Sequence, residues 1–149
     1  MSAVLLRSAR PTDAGATGAI LNAFNEDTPW MPKLHSQAET ISFTGDLIER
    51  GWVDVAEAEG QVTGFLAREG EAIHALYIAP AAQGHGIGSA LLQQAQVASP
   101  RLSLWTFQAN TGAQRFYKRH GFAEVLRTSG TGNDEKLPDI RMFWQRETT

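Results

Sequence analysis

Hydrophobic residues recur along this chain with two rhythms, a period near two in some stretches and near 3.6 in others, which predicts strands mixed with helices. Val4 to Ala9 reads as a first strand. Pro11-Thr12-Asp13 then predicts a helix start with Thr12 as its cap, and Ala16, Ile20 and Phe24 mark one face of that helix. Pro29 and Pro32 forbid its continuation. Ser36 and Glu39 have the spacing of a capping box, predicting a second helix to about Glu49 with Phe43, Leu47 and Ile48 on its apolar side.

From Trp52 the rhythm changes to strands over Trp52 to Glu57, Val62 to Arg68 and Ala72 to Ile78, punctuated by Gly60 and Gly70. Such short connections predict antiparallel neighbours. Ile87, Leu91, Ala95 and Ala98 return to helical spacing, and Leu102 to Phe107 is again a strand. A strand, helix, strand unit of this kind predicts a parallel pair with a right-handed crossover. A last helix is expected from about Asn110 to His120, capped by Asn110, before a closing strand pair, Phe122 to Arg127 and Ile140 to Trp144. The expected fold is α+β, one mixed and largely antiparallel twisted sheet with helices on both faces, in a single domain over residues 1–149.

The run Gln83-Gly84-His85-Gly86-Ile87-Gly88-Ser89 carries the most chemistry, because it joins a predicted strand to a predicted helix. Glycines at alternate positions leave backbone amides uncovered, and the helix start adds its positive dipole end, together a cradle for phosphate. Tight turns also demand positive φ, so the glycines alone leave a purely structural reading open. Two other phosphate loops fit poorly. No lysine follows Gly88, as a Walker A loop requires. The spacing is G-x-G-x-G and not G-x-G-x-x-G, and Leu102 to Ala109 contains no acid for a ribose.

Composition narrows the chemistry further. With 149 residues and no cysteine, disulfides, thiolate metal sites and a cysteine nucleophile are excluded. The net charge of −3 gives no general attraction to nucleic acid or to an acidic membrane. The first residues lack a signal-peptide pattern and no apolar run is long enough to span a bilayer, so a cytoplasmic location is expected. Arg115, Lys118, Arg119 and His120 form a local basic group that suits the last turn of a helix ending before Gly121, and could also lend positive potential to a phosphorylated ligand. No histidine has spacing that suggests a metal site.

Two blocks together resemble the GNAT superfamily of acyl-CoA-dependent N-acetyltransferases. Leu76-Tyr77-Ile78-Ala79-Pro80 leading into Gln83 to Ser89 is similar to the family's Q/R-x-x-G-x-G/A signature after its central strand. Asn110, Ala113, Phe116-Tyr117 and Gly121-Phe122 are similar to its N-x-x-A-x-x-F-Y-x-x-x-G-F block. The resemblance implies that the strand ending near Ile78 splays from the strand Leu102 to Phe107, and that acetyl-CoA enters the gap. It implies pantetheine contacts at Ile78 and Asn110, and pyrophosphate contacts on Gln83, Gly84, His85, Gly86, Ile87, Gly88 and Ser89, with no metal needed.

The resemblance also implies that Tyr117 protonates the departing thiolate, although Tyr117 at helical spacing from Ala113 and Gly121 is equally suited to packing. His74 is the first choice of general base, since an imidazole titrates near neutrality, and it could as well be an ordinary strand histidine. Glu71 and Glu57 are weaker choices. The acceptor amine is expected between Thr28 to His35, with Trp30 and Met31 lining its pocket, and Thr128 to Asp139, where Asp134, Glu135 and Asp139 could attract a cation. The expected partners are acetyl-CoA and an amine-bearing acceptor, without nucleic acid or membrane, and a homodimer is compatible with the sequence. The alternative function is a non-catalytic acyl-CoA binding or sensing module that keeps the cradle and has lost acceptor chemistry.

Overall fold

A computed structural model describes residues 3–147. Its strands are β1 (Val4–Ser8), β2 (Val53–Ala58), β3 (Gln61–Glu69), β4 (Ala72–Ile78), β5 (Arg101–Phe107), β6 (Ala123–Thr128) and β7 (Asp139–Gln145). They form one sheet in the order β1-β2-β3-β4-β5-β7-β6, antiparallel throughout except for the β4 and β5 pair. The helices are α1 (Ala14–Asp27), α2 (Gln37–Glu49), α3 (Ile87–Ala98) and α4 (Thr111–Arg119). No helix among the described residues is long and apolar enough to cross a membrane.

Two cores flank the sheet. On one face Val55, Phe65, Ala67 and Ala75 meet Ile20 of α1 and Leu47 and Ile48 of α2. On the other, Leu66, Leu102, Leu104, Ile140 and Met142 meet Ile87, Leu91 and Leu92 of α3 and Tyr117 of α4. Both arrangements follow from strand alternation, which sends successive side chains to opposite faces.

The helix starts differ from expectation in one case. Ser36 and Glu39 form the expected capping box, Ser36 Oγ accepting from Glu39 N–H and Glu39 Oε1 from Ser36 N–H. Thr12 does not cap α1, because a 3₁₀ turn over Pro11–Asp13 precedes that helix and takes Thr12 into its interior. Asp13 acts there instead, accepting from Arg10 N–H at 2.7 Å and from both terminal nitrogens of Arg7. Arg7 also donates to Glu57 at 2.8 Å, so one guanidinium ties β1, β2 and the start of α1. Phe43 is 48% exposed, and the buried stripe of α2 runs through Thr40, Thr44, Leu47 and Ile48. Thr44 is accommodated because its hydroxyl donates to the carbonyls of Ala14 and Ile41.

The break in the sheet positions everything that follows. Strand β4 pairs with β5 only at Ala72 opposite Ser103 and Ile73 opposite Leu104. Across β3, Arg68 faces Ile73 while Ala67 faces Ala75, which leaves His74 as the extra residue of a β-bulge. A bulge adds twist and bends its strand. Pairing with β5 ends one residue before it, and the rest of β4 diverges, leaving Leu76 to Ile78 with an unpaired edge.

Candidate active site

The loop after β4 opens α3 through left-handed glycines. Gly84 and Gly86 lie at φ +81 and +78, a region that costs any residue with a Cβ. Gly86 is the residue preceding the first turn of α3, and no side chain caps it. The first backbone bond at this end runs from Ala90 N–H to Gly86 O. Among the described residues, the N–H groups from Gly84 to Ser89 have no protein acceptor. A Cβ built on Gly84 or Gly86 would meet no atom within 4 Å, so the space above the loop is open to a ligand. This is an anion cradle made of backbone dipoles and a helix N-terminus.

The side chains around the cradle have distinct jobs. Ile87 is buried in the core and presents only its amide, whereas His85 is exposed. Gln83 Nε2 donates to Ile78 O at 3.3 Å, tying the loop back to the end of β4. Ser89 Oγ lies 3.0 Å from His120 Nε2, and Gln96 Nε2 donates to His120 O at 2.9 Å, which fastens the end of α4 to α3. Burial first, and then the charge of Arg119, hold the His120 imidazole below its ordinary range, so at neutral pH the contact with Ser89 joins two uncharged groups. Of the basic group on α4, Lys118 pairs with Glu124 at 3.2 Å.

Beside the cradle a cleft of about 580 Å³ runs along the free edge of β4, between Leu76, Tyr77 and Ile78 on one side and Asn110, Phe116 and Tyr117 on the other. Asn110 Oδ1 accepts from Ala113 N–H at 3.0 Å and so caps α4. Tyr117 packs edge-on against Phe116 and Phe122, and its hydroxyl takes no hydrogen bond from or to the described residues. Burial, reinforced by Tyr77, pushes the Tyr117 phenol well above its ordinary range, and burial with the charge of Glu135 pushes Tyr77 up to about 12. Both phenols therefore hold their protons at neutral pH.

The gap between the splayed strands forms a small cavity walled by Tyr77 and Tyr117 together with Trp105 and Phe107 of β5. A third cavity, of about 670 Å³, lies beyond it and shares Trp105 and Phe107, with Thr128, Asn133, Glu135 and Asp139 from the β6 to β7 connection. The cleft, the cavity in the gap and this third cavity adjoin in series, the first two sharing Tyr77 and Tyr117 and the last two Trp105 and Phe107, so the third is a second opening beside the gap. Asp139 is occupied as a brace, accepting from Thr128 Oγ1 and from Asn133 Nδ2. Glu135 is half-buried and has neither a hydrogen bond nor an ion pair among the described residues.

The structure gathers Ile78, Gln83, Gly88, Asn110 and Tyr117 around the one cleft, with the rest of the glycine loop beside it. His74 borders the small cavity in the strand gap, which Tyr117 also lines, but its ring is engaged by other groups. As the bulge residue its imidazole turns out to Glu69 Oε1 at 2.9 Å and stacks on Trp52 with ring centroids 5.3 Å apart. Glu57 and Glu71 are likewise engaged elsewhere, with Arg7 and Arg101. Trp30 packs edge-on to Phe107 and Phe24, which line the gap between β4 and β5. Met31 lines a separate cavity of about 50 Å³ that also touches Glu135. Tyr77 and Phe24 are site residues that the spacing of motifs missed. The chain has two tyrosines and both line this cleft, a signal available from the strand preceding the glycine loop.

Comparison with known proteins bears on the same segments. The family model described as "Acetyltransferase (GNAT) domain" matches residues 49–124, which hold the splayed strand, the cradle and α4. The chain is 32% identical over 133 residues to the peptidyl-lysine N-acetyltransferase YiaC of Escherichia coli strain K12, covering 85% of this chain and 88% of that protein. It is 39% identical over 110 residues to the peptidyl-lysine N-acetyltransferase YjaB of Salmonella typhimurium, covering 72% and 75%. The fold is similar to that of yncA from Salmonella typhimurium, solved with its cofactor acetyl-CoA, at a TM-score of 0.74 and 22% identity over 99% of this chain and 96% of that one.

Proposed function

The chain belongs to the GNAT acetyltransferase family, and on that premise we propose that it moves the acetyl group of acetyl-CoA onto a lysine amine of a polypeptide, with Tyr117 as the acid. The observation that carries this reading is the run of unpartnered amides from Gly84 to Ser89 opening into a cleft that ends at a phenol. The amides and the α3 dipole hold the pyrophosphate, and the free edge of Leu76 to Ile78 takes the amide-bearing pantetheine arm alongside Asn110. The thioester then reaches the gap between β4 and β5. The polypeptide acceptor is favoured because two relatives that cover most of their own length in the match are peptidyl-lysine N-acetyltransferases.

In this mechanism the neutral amine attacks the thioester carbonyl carbon, forming the C–N bond and a tetrahedral oxyanion. Collapse breaks the C–S bond, and the thiolate takes the Tyr117 proton. Before attack the ammonium gives one proton to water in the second opening, and after attack the nitrogen gives a second; water returns one of the two to the phenolate, so that ammonium and thioester yield amide, thiol and one proton. A phenol whose affinity for its proton is raised by burial is a weaker acid than a free one. The departing thiolate sits in the same apolar surroundings, which raise its basicity by the same cause, so the two remain matched.

The test is release of free CoA thiol from acetyl-CoA in the presence of Nα-acetyl-lysine methylamide or lysine peptides, with mass analysis of the acceptor. Acetylated acceptor above the uncatalysed background supports the reading. Saturable acetyl-CoA binding with no transfer to any amine would replace it with that of a binding module.

A further inference from the structure

Helix α1 packs over β3 and β4 with α2 against it, and on their side of the sheet the outer strands carry a surface that, beyond Trp30 on Phe107, stands in solvent. Alternation along β5 puts Ser103, Trp105 and Phe107 on that side, opposite to buried Leu102, Leu104 and Thr106. The register then lines up three rows across the strands. Phe107 meets Asp139 and Thr128, Trp105 meets Arg141 and Leu126, and Ser103 meets Phe143 and Ala123. Antiparallel sheets tolerate one wet face when it is polar. Here Trp105 is 52% and Leu126 51% exposed, and Phe143 is half-buried beside them. Exposed apolar side chains on either side of a cation, Trp105 and Leu126 flanking Arg141, make a mixed face of the composition that contact sites favour.

We propose that this face docks the polypeptide that carries the acceptor lysine, a step that rests on the acetyltransferase reading above. Continuity is the first argument, because Trp105 and Phe107 belong to the face, to the wall of the 670 Å³ cavity and to the wall of the strand gap that Tyr117 also lines. A chain lying on the face delivers a side chain straight into that cavity. Charge is the second. Glu135 faces the cavity half-buried and without a counter-ion, suited to an entering ammonium, while exposed Arg141 sits in the next row, also without a partner among the described residues. Rows two residues apart are separated by about 6.8 Å, since each residue of an extended strand advances about 3.4 Å. The matching occupant has a lysine, an aliphatic neighbour for Trp105 and Leu126, and an acidic residue two or three positions away for Arg141. A small free amine fills the cavity and leaves the face bare.

The experiment compares kcat/KM for two probes, Nα-acetyl-lysine methylamide and a mixture of end-blocked twelve-residue peptides with one central lysine and randomised flanks. Wild-type protein is expected to favour the peptides, enriched for acidic flanks, by about tenfold or more, the scale of one good interface anchor. In Leu126→Glu, an exposed edge position that tolerates charge, the peptide-to-amide ratio falls about tenfold. In Arg141→Glu the flank preference turns from acidic to basic. No peptide preference in wild-type protein, or equal losses on both probes in the variants, overturns the proposal. So does sedimentation showing a wild-type dimer that Leu126→Glu dissociates, which assigns the face to a second copy of the chain. Absence of transfer to either probe while calorimetry shows acetyl-CoA bound removes the underlying enzymatic reading and this proposal with it.

Discussion

Replacing Gly86 by alanine separates the role of its backbone conformation from its role toward a ligand, provided it is paired with Gly60→Ala. Gly86 lies at φ +78 and Gly60, in the turn between β2 and β3, at φ +75, and a Cβ on either meets nothing within 4 Å. The folded protein therefore pays the same conformational cost at both, about 1–2 kcal/mol for an L residue in the left-handed region. For a chain of this size that is a fall in Tm of about 3–8 °C. On the proposed function, only at Gly86 would the new methyl group stand where a pyrophosphate approaches the amides of α3. Displacing one charge-assisted hydrogen bond of about 1.5–3 kcal/mol weakens binding by roughly 10- to 100-fold. Thermal unfolding and calorimetric titration with acetyl-CoA on both variants read the two effects apart. If Gly86→Ala bound acetyl-CoA as tightly as Gly60→Ala, the glycine loop would be a turn and nothing more.

Other expectations follow from specific contacts. Asn110→Ala removes the cap that accepts Ala113 N–H, costing about 1 kcal/mol in chemical unfolding and weakening acetyl-CoA binding. Asp13→Asn loses charged acceptors for Arg7 and is expected to cost about 2 kcal/mol at pH 7. The hydrogen bonds from Arg7 hold the Asp13 carboxyl below the usual range, so its stabilisation is complete above the unfolded value of about 3.9 and is lost as pH falls below it. An acid unfolding series should show that loss in wild-type protein and a smaller one in Asp13→Asn. His74→Ala is expected to leave steady-state kcat within about twofold of wild type and to lower Tm by a few degrees at most, since its ring serves Trp52 and Glu69.

Much of this molecule was legible from residue order, and the failures have common physical causes. Local signals worked where the deciding interaction is itself local. The Ser36 and Glu39 box, the Asn110 cap and the glycine loop each depend on groups within a few positions, and their elements formed within one or two residues of expectation. Thr12 failed as a cap because a carboxylate one residue on, held by Arg7 from β1, satisfied the chain start instead. Phe43 was read as buried because it is apolar, yet α2 is turned by its contact with α1, where Gly18 lies so close to Ile41 that a Cβ would stand 2.6 Å from it. Tertiary packing chose the stripe, and threonines fitted it. The splay of β4, expected from the family resemblance, and the outward turn of His74, which was not, both arise at a bulge across two strands, which no single-strand pattern contains. Trp105 illustrates the same limit from the other direction. Alternation puts it opposite a buried set, but that its side of the sheet lacks a covering helix is a property of the whole topology.

The most direct test of the account is a single-turnover rate of acetyl transfer from saturating acetyl-CoA to Nα-acetyl-lysine methylamide, measured for wild-type protein and Tyr117→Phe from pH 6 to 10. Phenylalanine preserves the ring packing against Phe116 and Phe122, and the hydroxyl it removes has no partner among the described residues, so fold and donor affinity should persist. The account expects a wild-type rate that climbs with pH as the amine loses its proton, with no decline in this range because burial raises the Tyr117 phenol. It expects Tyr117→Phe to be slower by about 100-fold, the lower end of general acid contributions. Equal rates for the two proteins, with acetyl-CoA bound equally well, would contradict it.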